Sequence, residues 1–274
     1  MKLGARHWQA IHNLLRQRDN SVALGPVWRQ IHAELEVGEP RGKHLYFSDT
    51  MLRILRQEAE RASGSRDLLA DGPRGSRLEA ARQGFIDEKV APQRPDDGFV
   101  LVKGQLPTPL PTLSSELSLR VPLASLNLAA IEQVLVIENL DSFDDWQHYA
   151  APVELSGGLV LYRGHSGLAR GTRRLLTALP ASTLITAFVD YDPAGLAIAA
   201  ALGARQWLLP ELDEPLLAQG SRAHFLRQSR QAAHLDNLDL GGWQPGWDAM
   251  KAHQVSIKQQ HMLALHSPLR LLTR

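Results

Sequence analysis

Three uninterrupted apolar runs, VLVIEN (134–139), GLVLYRG (158–164) and TLITAFVDYD (183–192), limit this chain more than any other feature. None alternates apolar with polar residues, so none reads as a strand with one wet face. Between them lie DSFDDWQHYA (141–150) and SGLARGTRRLLTALP (166–180), both of helical composition. PAGLAIAAALGA (193–204) and a fourth run, QWLLP (206–210), follow. Continuous apolar strands separated by helices predict an α/β, Rossmann-like parallel sheet with helices on both faces.

The first hundred residues have a different character. Leu3, Trp8, Ile11, Leu14 and Leu15 fall at helical spacing and predict a helix over 2–18. A second is expected over 26–36. In SDTMLRILRQEAERASG, Ser48 or Asp49 can cap, Met51, Leu52, Ile54 and Leu55 form an apolar face, and Gly64 ends the helix. Arg53, Arg56 and Arg61 decorate that third helix, so this mainly helical region is either a winged-helix or helix-turn-helix module or a plain bundle with solvated arginines. Residues 64–97 read as a long loop with one short helix over 77–83. VLVKGQL is a short strand, and the alternation of Leu117, Leu119 and Val121 with Ser118 and Arg120 predicts another. The proline-rich LPTPLPT between them marks the expected boundary, giving regions 1–112 and 113–274.

The chain has 274 residues and no cysteine, which excludes disulfides and cysteine zinc sites. With no signal-peptide pattern and no apolar stretch long enough to span a bilayer, a reducing, cytoplasmic setting without membrane attachment is expected. Net charge is +1, but residues 101–200 carry 9 acidic against 6 basic side chains while both flanks are slightly basic. That distribution suits a metal centre flanked by phosphate-contacting arms, and it also suits ordinary scatter.

Ligands of open α/β sheets bind beyond the carboxyl ends of the strands. The first run ends in Glu138-Asn139, the second in Arg163-Gly164-His165, the third in Asp190-Tyr191-Asp192. Three carboxylates therefore reach one rim. Two of them ~4 Å apart repel by ~4 kcal/mol at an effective dielectric of 20, so protons or a cation must neutralise the group. Few oxygen ligands suit Mg²⁺. Asp192 alone is explained by capping, since Asp-Pro-Ala-Gly opens a helix. Capping explains neither Asp190 nor Glu138.

IENLDSF, YRGHSG and FVDYDPAG together resemble the Toprim domain of topoisomerases, bacterial primases, some nucleases and the DNA-cleaving subunit of topoisomerase VI. The extended forms ENLDSF and DYDPAGLAI are most similar to the nuclease subunit of bacterial SMC-like plasmid-defence systems of the Wadjet or MksBEFG type. The resemblance runs from about Leu117 to the C-terminus. It implies an Mg²⁺-dependent DNA endonuclease, with Mn²⁺ as an alternative ion. Asp190 and Asp192 would hold the ion. Glu138 would complete the site as ligand and as general acid or base, and Asn139 would support it. It further implies duplex plasmid DNA as substrate, an SMC-like ATPase and kleisin complex as partner, and a homodimer, since cutting two strands needs two centres. The sequence departs from relatives in two places. The only tyrosine of the first hundred residues, Tyr46, does not sit in a nucleophile context, and a late Gln-Glu pair of the relatives is Gln259-Gln260 here.

Arg163, His165, Arg222, Arg227 and Lys258 are the expected DNA contacts. The stretch 215–235 is basic and reads equally as a phosphate-tracking helix or a solvated face. A late helix is expected over 248–266. GHSGLARG lacks the G-x-G-x-x-G spacing and reads as a tight turn. Two other functions fit parts of the pattern: a haloacid-dehalogenase-like phosphotransferase, whose Asp-x-Asp would sit on its first strand, and a non-catalytic subunit that bridges DNA and an SMC motor.

Overall fold

A computed structural model describes residues 3–17, 19–64, 75–86, 88–165 and 167–274. The chain divides into two compact units, Met1–Pro95 and Asp96–Arg274.

The first unit runs α1 (Ala5–Gln17), β1 (Ser21–Ala23), α2 (Pro26–Leu35), β2 (Glu39–Arg41), β3 (His44–Tyr46), α3 (Asp49–Ser63) and α4 (Arg77–Arg82). The expected helices are present. Ser48 Oγ caps α3 by accepting from Met51 N at 3.2 Å, and Gly64 closes it in the left-handed region. The three strands, each of three residues, form an antiparallel sheet in the order β1-β3-β2. Segments that short carry no periodicity, so the sequence did not announce them. Trp8, Ile11, Leu14, Ile31, Leu45 and Leu55 make a closed core. The long loop expected over 64–97 falls partly outside the described residues (65–74 and 87). Its short helix is α4.

The second unit contains β4 (Phe99–Gly104), β5 (Leu119–Pro122), β6 (Gln133–Ile137), α5 (Leu140–Asp144), β7 (Leu159–Tyr162), α6 (Gly167–Ala178), β8 (Leu184–Phe188), α7 (Pro193–Ala201), β9 (Gln206–Pro210), α8 (Glu214–Ala218), α9 (Arg222–Arg227), α10 (Ser229–Asp236), α11 (Gln244–His253), α12 (Gln259–Ala264) and β10 (Leu269–Thr273). It is a mixed α/β unit built on one seven-stranded sheet in the order β10-β9-β8-β6-β7-β4-β5. The four apolar runs are the parallel centre. The parallel sheet expected from these runs is therefore only the centre of a mixed sheet, since at the edges β10, β4 and β5 pair antiparallel. Because β4 lies between β7 and β5, the boundary at 112 is also displaced, to 95/96.

Alternation along the central strands feeds two cores. Leu135 and Ile137 join Phe143, Tyr149 and Phe188 on one face; Val134 and Val136 join Leu159, Leu161 and Leu175 of α6 on the other. Burial of both faces explains why the runs are continuous. Trp243, at the N-terminal cap position of α11, and Trp247 within it are fully buried core residues. The glycines of GHSGLARG serve packing: a Cβ on Gly171 would lie 1.9 Å from the Phe99 carbonyl oxygen, where α6 crosses β4. Among the described residues, no helix is long and apolar enough to cross a membrane.

The basic stretch 215–235 is three short helices, α8 to α10, rather than one. The late helix expected over 248–266 is also broken. Gln254 takes a left-handed conformation (φ 49°), and Val255–Lys258 run extended between α11 and α12. There Ile257 forms a two-way backbone bridge with Tyr191, N to O at 2.9 and 3.0 Å.

Candidate active site

The parallel strands follow one another in space as β7-β6-β8-β9, so the connections leaving β6 and β8 part in opposite directions. That is a topological switch point, where a crevice opens beyond the strand ends. Glu138 stands one residue past β6 and extends its pairing, with its N–H donating to Phe188 O at 3.0 Å. Across this gap the Asp190 N–H donates to Glu138 Oε2 at 3.2 Å. The two strand ends that the sequence singled out are thus in contact at the crevice.

Asp190 and Asp192 lie beyond the last residue of β8, in a turn closed by Asp192 N donating to Asp190 O at 2.9 Å. Asp192 Oδ1 caps α7 by accepting from Gly195 N at 2.8 Å, and Pro193 follows at the first helical position. Capping is only half its work. Its other oxygen, Oδ2, accepts from Ser256 Oγ at 2.9 Å, Gln228 Nε2 at 3.0 Å and Lys258 Nζ at 3.2 Å. Asp190 Oδ1 accepts from Asn139 Nδ2 at 2.9 Å and Gln259 N at 3.0 Å, and its Oδ2 accepts from Lys258 Nζ at 2.8 Å. Asn139 occupies the cap position of α5 but makes no cap bond, because its amide goes to Asp190.

Gln259 is fully buried beneath this group. Its Oε1 accepts from Asn139 N at 3.1 Å, and its carbonyl oxygen lies 3.0 Å from the hydroxyl of Tyr149, whose pKa burial pushes up to about 12. Among the described residues its Nε2 has no partner, and neither does the buried Nε of Arg163. Arg163 faces Glu138 Oε1 at 3.6 Å. Both of these donors lie beside the Glu138–Asn139 step and are themselves buried.

The electrostatics differ among the acids. Burial, and then the Asp190 charge, push Glu138 above the ordinary carboxylate range, with Arg163 opposing. Burial would also raise Asp192, but the donors from Gly195 and Gln228, the Lys258 charge and Ser256 outweigh it and hold the carboxyl low. Burial pulls Lys258 down, and its pairing with Asp190 and Asp192 more than compensates.

Of the expected residues, Glu138, Asn139, Asp190, Asp192, Arg163 and Lys258 come together. His165 is exposed past Arg163. Arg222 donates from Nε to Gln254 Oε1 at 2.8 Å, and Arg227 is exposed on α9 beside Gln228. The acids do not act as one trio: Asp190 and Asp192 share Lys258, while Glu138 turns to Arg163 and the Asp190 backbone. Among the described residues, no three acidic or histidine side chains close around one point. The donor chemistry nonetheless fits a hard cation. Asp190 Oδ2 and Asp192 Oδ2 already bracket one positive group, the Lys258 ammonium, and Mg²⁺ needs only one or two carboxylates besides water and phosphate. Sequence reasoning missed Ser256 and Gln228, which reach Asp192 only through tertiary packing. It read the Gln259-Gln260 pair only for the acid missing from its second position, whereas the amide and backbone of Gln259 hold Asn139 and Asp190.

Residues 90–271 match a family described as a domain of unknown function, DUF7281. The chain belongs to that family. The matched span begins near the 95/96 division and takes in every strand of the large sheet except the last residues of β10, so the candidate site lies wholly within the DUF7281 domain. No curated protein matches the chain.

Proposed function

We propose that this DUF7281 protein is a metal-dependent endonuclease of Toprim-like design that cuts duplex DNA. The observation that carries the reading is the meeting of Glu138 with the Asp190–Asp192 turn at the switch point of the sheet. In this reading Asp190 and Asp192 hold Mg²⁺ or Mn²⁺ where the Lys258 ammonium lies. A bound ion polarises the phosphate and stabilises the leaving oxygen. Glu138, whose proton affinity burial raises, transfers the proton, a role that contributes typically ~10²–10⁴-fold. Arg163 balances the Glu138 charge, and its partly exposed guanidinium is the group that meets a phosphate oxygen.

The resemblance to plasmid-defence nucleases extends the proposal to an SMC-like ATPase and kleisin complex as partner, a homodimer on DNA and a cytoplasmic setting. In the first unit, the helix–strand–helix–hairpin order and the exposed Arg41 and Lys43 on the β2–β3 hairpin agree with a winged-helix reader of the DNA backbone. One observation favours the non-catalytic alternative: the Lys258 ammonium already occupies the place between the two aspartates.

Nicking and linearisation of closed-circular plasmid with Mg²⁺ or Mn²⁺, with and without the partner complex, separates the two. The doubly substituted Asp190→Ala, Asp192→Ala protein is expected to bind DNA as well as the parent or better and not to cut. With the partner complex present, cutting by the double variant at the parental rate would overturn the catalytic assignment and leave the bridging role.

A further inference from the structure

We propose that Lys258 couples cation binding to phosphate binding: its ammonium holds Asp190 and Asp192 until a divalent cation takes them, and is then released to a phosphate of the substrate. The inference rests on the reading of the acids as a cation site.

Lys258 is anchored where its backbone need not move. Ile257 is bridged to Tyr191 in both directions, and Gln259 N donates to Asp190 Oδ1. The side chain is a flexible four-carbon stem, 40% exposed, with one side open to solvent. Loss of the ammonium leaves both carboxylates oriented. Asp190 Oδ1 keeps Asn139 and Gln259 N, and Asp192 keeps Gly195, Gln228 and Ser256. The atoms Lys258 vacates are the two Oδ2 oxygens, on the side toward which a cation can approach. The exchange therefore needs one side chain to swing and nothing to refold.

Charge gives the exchange its direction. With Lys258 seated, three carboxylates against one ammonium and one guanidinium leave the group net negative, which repels phosphate. A divalent ion reverses that sign, and the displaced ammonium becomes a positive arm near the partly exposed guanidinium of Arg163. Each ligand then favours the other, and by linkage the coupling is reciprocal, commonly 5–150-fold.

The test uses the full-length chain. Mn²⁺ affinity is measured by electron paramagnetic resonance for the parent, Lys258→Met, Lys258→Gln and the Asp190→Ala, Asp192→Ala protein. Affinity for a fluorescent duplex oligonucleotide is measured by anisotropy with and without Ca²⁺. Removing the internal competitor is expected to tighten Mn²⁺ about tenfold in both lysine variants. Ca²⁺ is expected to tighten duplex binding by the parent and to lose that effect in both variants. Where a lysine variant is too unstable to titrate, its rise in melting temperature with Mn²⁺ must exceed the parent's. Equal or weaker Mn²⁺ binding, or an equal or smaller rise in melting temperature, overturns the coupling. If Mn²⁺ binding disappears in the double aspartate variant but is not tightened in the lysine variants, only this inference fails. If the double variant still binds Mn²⁺, or no protein binds it, the reading of the acids fails too.

Discussion

Asp190 and Asp192 stand one residue apart, yet the protein holds them by different means. Asp190 is fixed from the chain's far end, by Gln259 and Lys258, and from β6 by Asn139. Asp192 is fixed first by the helix it caps. Four donors and burial make it the most committed of the acids. Because its carboxyl is held below the ordinary value of 3.8, its contribution to stability is complete above that value and is lost as pH falls through the lower, folded one. Asn caps almost as well as Asp, but the amide of Asp192→Asn would oppose the donors from Gln228, Ser256 and Lys258. The variant is expected to lose about 1–3 kcal/mol at pH 7. The difference from the parent should shrink as the pH falls below 3.8 and through the lower, folded value, where the parental carboxylate is itself protonated. Urea unfolding midpoints at several pH values measure this, and a gap independent of pH would refute it.

At the scale of elements, the difference between what was legible and what was not is physical. β6, β7, β8 and β9 were readable because burial on both faces demands continuous apolar sequence. Glu138 and the two aspartates were readable because such strands end abruptly in charge. β10 was not, since LRLLT lies on an antiparallel edge with only its first residue buried. The break between α11 and α12 was not either. It turns on Gln254 in a left-handed conformation, where glycine would have signalled it, and is held by the Tyr191–Ile257 bridge, some 65 residues apart in sequence. The sequence alone places Lys258 on a helix face, because nothing local tells of that bridge.

The start of α7 shows the same coupling of element to site. Glycine in a helix is ordinarily improved by alanine, by about 1 kcal/mol. At Gly195 the sign should invert. An added Cβ would lie 2.1 Å from the Asp190 carbonyl oxygen, which is backbone and already accepts from Asp192 N. Relieving that overlap must shift either α7 or the acidic turn. Gly195→Ala is expected to destabilise by about 1–3 kcal/mol and to weaken Mn²⁺ binding, although the substituted atom touches no ligand. Denaturant unfolding together with metal titration checks both effects, and a more stable variant would show that the turn yields without consequence.

On the scale of the whole molecule, the cores are closed separately. The cluster around Trp8, Ile11, Leu45 and Leu55 includes no buried residue beyond Ala91, and the clusters on the two faces of the large sheet include none before Val100. The family match begins at residue 90, and every side chain of the candidate site lies after 137. About 180 residues is ample for a self-sufficient core, and β4, which the sequence would have assigned to the first region, completes its sheet. A fragment of residues 96–274 is therefore expected to fold by itself with a single cooperative transition and to bind Mn²⁺ as the full chain does. Cutting it instead at 113 removes β4, strips the partner from the β7 edge and exposes Leu159, Leu161 and Val121. That shorter fragment is expected to aggregate. Expression of both fragments, followed by thermal unfolding and Mn²⁺ titration, decides the matter. A soluble, cooperatively folding 113–274 fragment would show that β4 is dispensable to the sheet, and a 96–274 fragment that lacks the full chain's metal affinity would mean that the site draws on residues outside the unit that contains it.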